Sequence, residues 1–201
     1  MSSLRLLVLR HPRDARRAMT SAPIVAREVP ECVLTCGLSW PNLRGALGEP
    51  ADWRRWAVLG LPSKTVLRDV RKAVRARVHR DDGALSDVAV LDRRGHLLAV
   101  NERPDDLDGL IVLDGSWPES RSLYWRNPWL AKLRRIVVFP GFRSAFGRLK
   151  RQPHRDCIAT AEAVACVLER FGDDPHVPAR LIESFGAMVA DGSESRTPRN
   201  E

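Results

Sequence analysis

Four short runs of apolar residues, each cut off by a turn, constrain the fold of this chain most. They cover residues 4–9, 56–61, 110–113 and 136–139, and they are largely continuous rather than alternating. A strand that is apolar on both sides must be covered on both faces, as an inner strand of a parallel sheet is. Segments of helical spacing lie between and after these runs. Val66, Leu67, Val70, Val74 and Val78 form one apolar stripe over residues 64–78. Val164, Val167, Leu168 and Phe171 form another over 160–171, with Thr160 as N-cap and Gly172 as the residue past the end. Strands alternating with helices predict an α/β fold, a mostly parallel sheet with helices on both faces.

Weaker signals fill in the rest. Residues 33–38 read as a strand, and 87–91 and 96–100 as two strands around the Arg93-Arg94-Gly95 turn. His11-Pro12 opens a short helix that presents Arg13, Arg16 and Arg17 outward, with Pro23 interrupting it. Residues 41–52, rich in Gly and Pro, read as a loop, and Pro178 opens a last helix to about Met188.

The chain has 201 residues, 44% of them hydrophobic, enough for one core. A single domain over 1–188 is expected, with a disordered tail at 189–201. No apolar run approaches the length of a membrane span, and the first ten residues lack the basic and cleavage segments of a signal peptide. A soluble, cytoplasmic protein is expected. Cys32 and Cys36 are spaced C-x3-C with no second pair at zinc-site spacing, so the cysteines read as small buried hydrophobes rather than as a metal site. The formal net charge of +8 favours a polyanionic partner, RNA or DNA first. The competing reading is that an arginine-rich composition follows base composition alone. Lys64, Arg68, Arg71, Lys72 and Arg75 gather opposite the apolar stripe of 64–78. They form either an RNA-facing stripe or a solvated helix face.

Parallel sheets bind ligands outside the carboxyl ends of their strands. Three strands here end in unusual turns: Gly60-Leu61-Pro62-Ser63, Asp114-Gly115-Ser116-Trp117 and Pro140-Gly141-Phe142-Arg143. Neither G-x-G-x-x-G nor G-x-x-x-x-G-K-[ST] is present, which argues against a Rossmann dinucleotide site and a P-loop.

Taken in order, several segments resemble the DTW-domain family. Asp114-Gly115-Ser116-Trp117 is similar to the family's Asp-x-Thr-Trp signature, with Ser for Thr. It follows an apolar strand and precedes Arg121 and Arg126-Asn127-Pro128. Upstream, His11-Pro12-Arg13 through Thr20 matches a His-Pro element, and Leu61-Pro62-Ser63 a turn after an early strand. Downstream, the basic segment from Arg148 to Arg151 precedes Cys157-Ile158-Ala159-Thr160-Ala161-Glu162-Ala163, which resembles the family's Cys-x-Ser-Thr-x-Glu-Ala helix start with Ala for Ser.

The resemblance implies a SPOUT-like fold with a C-terminal trefoil knot. It also implies an aminocarboxypropyltransferase that uses S-adenosylmethionine and places the 3-amino-3-carboxypropyl group on N3 of a tRNA uridine. A SPOUT-type RNA methyltransferase and a non-catalytic RNA-binding member of the fold are the alternatives. Under this reading Asp114 is the candidate base, or orients the uracil by hydrogen bond. Its pKa would have to be raised by burial. Ser116 offers a hydrogen bond, and Trp117 either a stacking face or a core indole. Gly60 and Gly141 would let backbone approach the donor. The backbone around Leu61, Phe139 and Cys157 would read its adenine, with Pro62 and Thr160 beside it. The competing reading gives Thr160 and Glu162 only the helix start, and Asp114-Gly115 only a turn. Arg143 or Arg148 would hold the donor carboxylate or a phosphate. Arg121, Arg126, Lys150 and Arg151 complete the expected RNA contacts. No metal is expected, and a monomer is expected rather than a homodimer.

Overall fold

A computed structural model describes residues 3–17, 19–60, 64–77, 84–148 and 157–194, with backbone alone at 64, 148, 193 and 194. Seven strands form one sheet: β1 (Arg5–Arg10), β2 (Val33–Cys36), β3 (Trp56–Leu59), β4 (Ser86–Leu91), β5 (Leu97–Val100), β6 (Gly109–Asp114) and β7 (Arg134–Pro140). Their order is β2-β1-β6-β3-β7-β4-β5. The first five run parallel, and β4 lies antiparallel to both β7 and β5. The α/β expectation, with its mostly parallel sheet, holds.

The apolar runs are continuous because successive side chains serve opposite faces. Leu6, Val8, Leu110 and Val112 pack with α1 (Ala22–Glu28), α5 (Thr160–Phe171) and α6 (His176–Glu194). Leu7, Leu9, Ile111 and Val58 pack on the other face with α2 (Leu43–Leu47) and with Leu130 and Leu133. On that same face Val137 and Phe139 sit under α3 (Lys64–Arg77), whose Val70 and Val74 are buried as the stripe requires.

Several local expectations are corrected. Pro23 does not interrupt a helix. It stands in the first turn of α1, where its missing N–H costs nothing, and β1 is followed only by a short 3-10 turn at Asp14–Arg16. The 41–52 loop contains α2, capped by the Asn42 side chain, which accepts from Gly45 N at 2.9 Å. Ala159, not Thr160, is the N-cap residue of α5. Gly172 is extended rather than left-handed. A Cβ there would lie 2.5 Å from the Leu168 carbonyl oxygen, so glycine is used for close approach. α6 begins at His176 and continues to Glu194, in place of a tail from 189, because Leu181, Phe185 and Val189 keep one face in the core. Residues 195–201 lie outside the described residues.

Sequence reasoning also missed α4 (Trp117–Arg126), which starts directly at the strand end of interest. Its signal was present: Ser116-Trp117-Pro118-Glu119 has the Ser-x-x-Glu spacing of a capping box, with Pro in the first turn.

Candidate active site

The parallel register puts the carboxyl ends of β1 and β6 side by side, with Arg10 opposite Asp114. The segment after β1 therefore meets the segment after β6, although the two are a hundred residues apart in sequence. His11 N donates to the Asp114 carbonyl at 3.0 Å and extends this pairing by one step. α5 approaches the same edge with its N-terminus, and Thr160 Oγ1 donates to Asp114 Oδ1 at 2.7 Å.

Asp114 is 3% exposed, and Asp14 beside it 7%. Arg10 Nε stands 3.5 Å from Asp114 Oδ2 and 3.7 Å from Asp14 Oδ2. Among the described residues, neither Asp114 Oδ2 nor Arg10 Nε has a hydrogen-bond partner. Arg10 Nη2 donates to Thr20 Oγ1 at 2.5 Å and to the Asp14 carbonyl at 3.3 Å. Burial pushes the Asp114 carboxyl up to about 7 against the pull of the Thr160 hydroxyl. The neighbouring Asp14 charge pushes the Asp114 carboxyl the same way. A proton held there also supplies the donor that Oδ2 otherwise lacks.

A second cluster fixes the turn around this pair. Glu119 accepts the Ser116 N–H at 2.7 Å and the Ser116 hydroxyl at 2.6 Å. Its two oxygens also take Arg17 bidentately, at 2.8 and 2.7 Å, and Arg17 returns to Asp14 Oδ1 at 2.5 Å. Glu119 is held down to about 2: the Arg17 and Ser116 bonds overcome the upward push of burial, which is the largest single influence. Gly115 is required here. Its φ is +152°, and a Cβ would lie 2.9 Å from Glu119 Cβ and 3.3 Å from His11 Cβ.

Trp117, 38% exposed, donates its indole N–H to Cys157 Sγ at 3.0 Å and ties the start of α4 to the segment that leads into α5. Buried Glu162 does the same for the turn after β7. It accepts from the Ser144 hydroxyl, from Ala145 N at 2.8 Å and from Ala159 N at 2.7 Å.

A family model described as the DTW domain matches residues 1–192. The chain belongs to the DTW-domain family. Among curated proteins it is similar to tRNA-uridine aminocarboxypropyltransferase 2 of Drosophila melanogaster, 24% identical over 188 residues. That match covers 92% of this chain and 63% of the relative, so the chain spans less than two thirds of the relative's length. No solved structure matches the chain significantly.

The structure gathers some of the predicted residues of this DTW domain and disperses others. Asp114, Ser116, Trp117, Cys157 and Thr160 meet at one edge. The Ser116 hydroxyl donates to Glu119 within the helix cap. Thr160 does not cap its helix but holds Asp114. Among the described residues a Cβ at Gly60 would meet nothing within 4 Å. The Gly141 N–H donates to the Leu85 carbonyl at 2.9 Å, and a Cβ there would crowd that oxygen at 3.2 Å. The Phe139 ring belongs to the core under α3, with the Arg71 guanidinium 5.3 Å from its centroid. Arg71 is thus drawn inward from the stripe, and Arg68 pairs with Asp69 at 3.1 Å, while Arg75 stays exposed. Arg121, Arg126 and Arg143 are exposed. Leu61, Pro62, Lys150 and Arg151 lie outside the described residues, as do the side chains of Lys64 and Arg148.

Arg17, expected on an open helix face, is instead bound to Glu119. Together with Arg10, Asp14 and Glu119 it was missed. The His-Pro segment and the Ser-x-x-Glu box were visible, but their pairing was not. Cys157 and Cys166 are buried as expected, whereas Cys36 is exposed and Cys32 half-buried. Among the described residues no group of His, Cys, Asp and Glu could hold a metal ion, and no helix is long and apolar enough to cross a membrane.

Proposed function

We propose that this DTW domain transfers the 3-amino-3-carboxypropyl group of S-adenosylmethionine to N3 of a uridine in tRNA, in the cytoplasm. The observation that carries the reading is the Asp114 carboxyl: buried at the carboxyl edge of the sheet, with one oxygen unpartnered and a proton affinity near neutrality. Uridine N3 carries a proton that must leave before it can attack, and a base works best when its pKa lies near the working pH. Asp114 itself is closed to solvent. The half-buried Thr160 hydroxyl is its outward end: it takes the N3 proton and passes its own to Asp114 Oδ1. Arg10 and Asp14 hold the carboxyl in place and set its proton affinity.

The residues fit the donor. Among the described residues the space a Cβ would fill at Gly60 is open, which leaves room beside the strand ends. Gly60, the Phe139 backbone and the segment from Cys157 to Thr160 would hold it. When bound, the donor supplies a propyl carbon whose bond to the sulfonium sulfur breaks as the bond to N3 forms. Trp117 is held edge-on by Cys157 with its ring partly exposed, which suits a stacked base or adenine. A SPOUT-like fold with a C-terminal trefoil knot belongs to the same reading. The mostly parallel sheet with its site at the strand ends supports it.

Incubating the protein with tRNA and S-adenosylmethionine, followed by nucleoside mass spectrometry, tests the proposal. The expected product is a uridine heavier by an aminocarboxypropyl group. A methylated nucleoside would reassign the chain to methyl transfer. Donor binding with no modified nucleoside in any tRNA would refute the transferase reading.

A further inference from the structure

Beyond Trp117, helix α4 carries a surface that the transfer chemistry does not use. Trp125 is 72% exposed, more than any other large apolar side chain among the described residues. It lies eight residues after Trp117, and exposed Arg121 falls midway between them. At 3.6 residues per turn the three positions stay within about 80° of the helix circumference and rise about 12 Å. Three to four stacked nucleotides, at about 3.4 Å each, span that length.

The helix is held firmly at both ends. Glu119 and Ser116 fix its start. At its finish the fully buried Asn127 donates to the Leu123 and Leu38 carbonyls, at 2.7 and 3.1 Å, and accepts from Trp40 N at 2.8 Å. The Trp125 ring rests edge-on against Tyr124, centroids 5.6 Å apart, and Tyr124 is itself anchored by Arg135 at 3.1 Å. The charge on the helix is of one sign at its surface. Its single acid, Glu119, is buried against Arg17, and the exposed charges are Arg121 and Arg126.

We propose that the Trp117–Arg121–Trp125 face of α4 is a stacking track for unpaired RNA nucleotides that flank the target uridine. The inference rests on the tRNA reading above. It adds that the substrate uridine is presented in a single-stranded loop. Rigid aromatic faces interleaved with cations suit a strand that offers both π-faces and phosphates. The track is continuous with the candidate site, because Trp117 belongs to both.

The test measures binding of the full chain to total tRNA and to a ten-nucleotide oligouridylate, by fluorescence anisotropy at one fixed salt concentration. Trp125→Ala is expected to weaken both about 5- to 150-fold, the range for losing one base-stacking contact. Trp125→Phe should recover part of the loss. Arg121→Gln should reduce the slope of log affinity against log salt by about 0.7. Calorimetric binding of S-adenosylmethionine should be unchanged in the Trp125 variants. If Trp125→Ala fails to fold by circular dichroism, the Trp125→Phe and Arg121→Gln arms decide. Wild-type binding that Trp125→Ala leaves intact overturns the track but leaves the transferase reading standing. A loss of self-association in the ultracentrifuge, with RNA affinity unchanged, overturns it in favour of a contact between copies. A wild-type protein that binds neither RNA overturns both.

Discussion

Replacing Asp114 by Asn should make the protein more stable at alkaline pH while it slows transfer. The carboxyl ordinarily ionises near 3.8 and here is raised to about 7. A raised acid binds its proton more tightly folded than unfolded. Wild-type stability from this group is therefore full below about pH 4 and falls as pH climbs towards 7. A shift of about three units at about 1.36 kcal/mol each gives a cost of about 4 kcal/mol once the carboxylate is fully charged. Asn keeps the acceptor for Thr160 and gains an N–H that can face Asp14, so it stands in for the protonated acid at every pH. The gap between variant and wild type should thus be small at pH 4.5 and widen to about 2–4 kcal/mol by pH 8. For a domain of this size each kcal/mol moves the melting temperature by about 2–4 °C. Urea denaturation of both proteins across that pH range is the measurement. Glu119 does not interfere, because it is held at about 2 and titrates below the window. A gap that stays constant with pH, or an Asn variant less stable at pH 8, would refute a neutral buried Asp114. Transfer should fall by about 10²- to 10⁴-fold, the usual range for a lost proton acceptor.

Three further substitutions probe the same edge. Thr160→Val removes a hydrogen bond that lowers the Asp114 pKa, so the rising limb of the pH–activity profile should move to higher pH while the maximal rate falls. An unmoved limb would leave Thr160 a structural residue. Gly115→Ala forces a Cβ to 2.9 Å from Glu119 Cβ and should cost about 1–3 kcal/mol in chemical denaturation, whereas wild-type stability would mean that the turn relaxes freely. Glu119→Gln breaks the fork to half-exposed Arg17 and should destabilise by about 1 kcal/mol at pH 7. Because the folded Glu119 value lies below the ordinary one, that deficit should shrink as pH falls from about 4.5 towards 2, and a deficit that grows with acid would contradict the assignment.

Much of the frame was legible because its signals are local. Continuous apolar runs marked β1, β3, β6 and β7, and i, i+3, i+4 spacing marked α3 and α5 with nearly their observed limits. Where legibility failed, a local cue had a competitor. Pro23 looked like a breaker but stands in a first turn, where proline is welcome. Ser116 reads as a ligand hydroxyl, and its bond to Glu119 three residues on was not read with it. Gly141 looked open to a ligand, and the strand register gives that space to Leu85.

By itself the sequence determined most of the strands, the helices α3 and α5, the polar turn at the end of β6 and, through its motifs, the family. Those properties depend on side-chain period and on residues close in the chain. Only the tertiary structure decided that β1 lies beside β6, that Asp14 faces Asp114, that Arg17 reaches Glu119 across 102 positions and that Thr160 reaches Asp114 across 46. Sheet order is chosen by the packing of whole faces, which no short window of sequence carries. Asp114 reads in sequence as a turn residue, and its carboxyl gains its raised proton affinity only when that packing removes it from water.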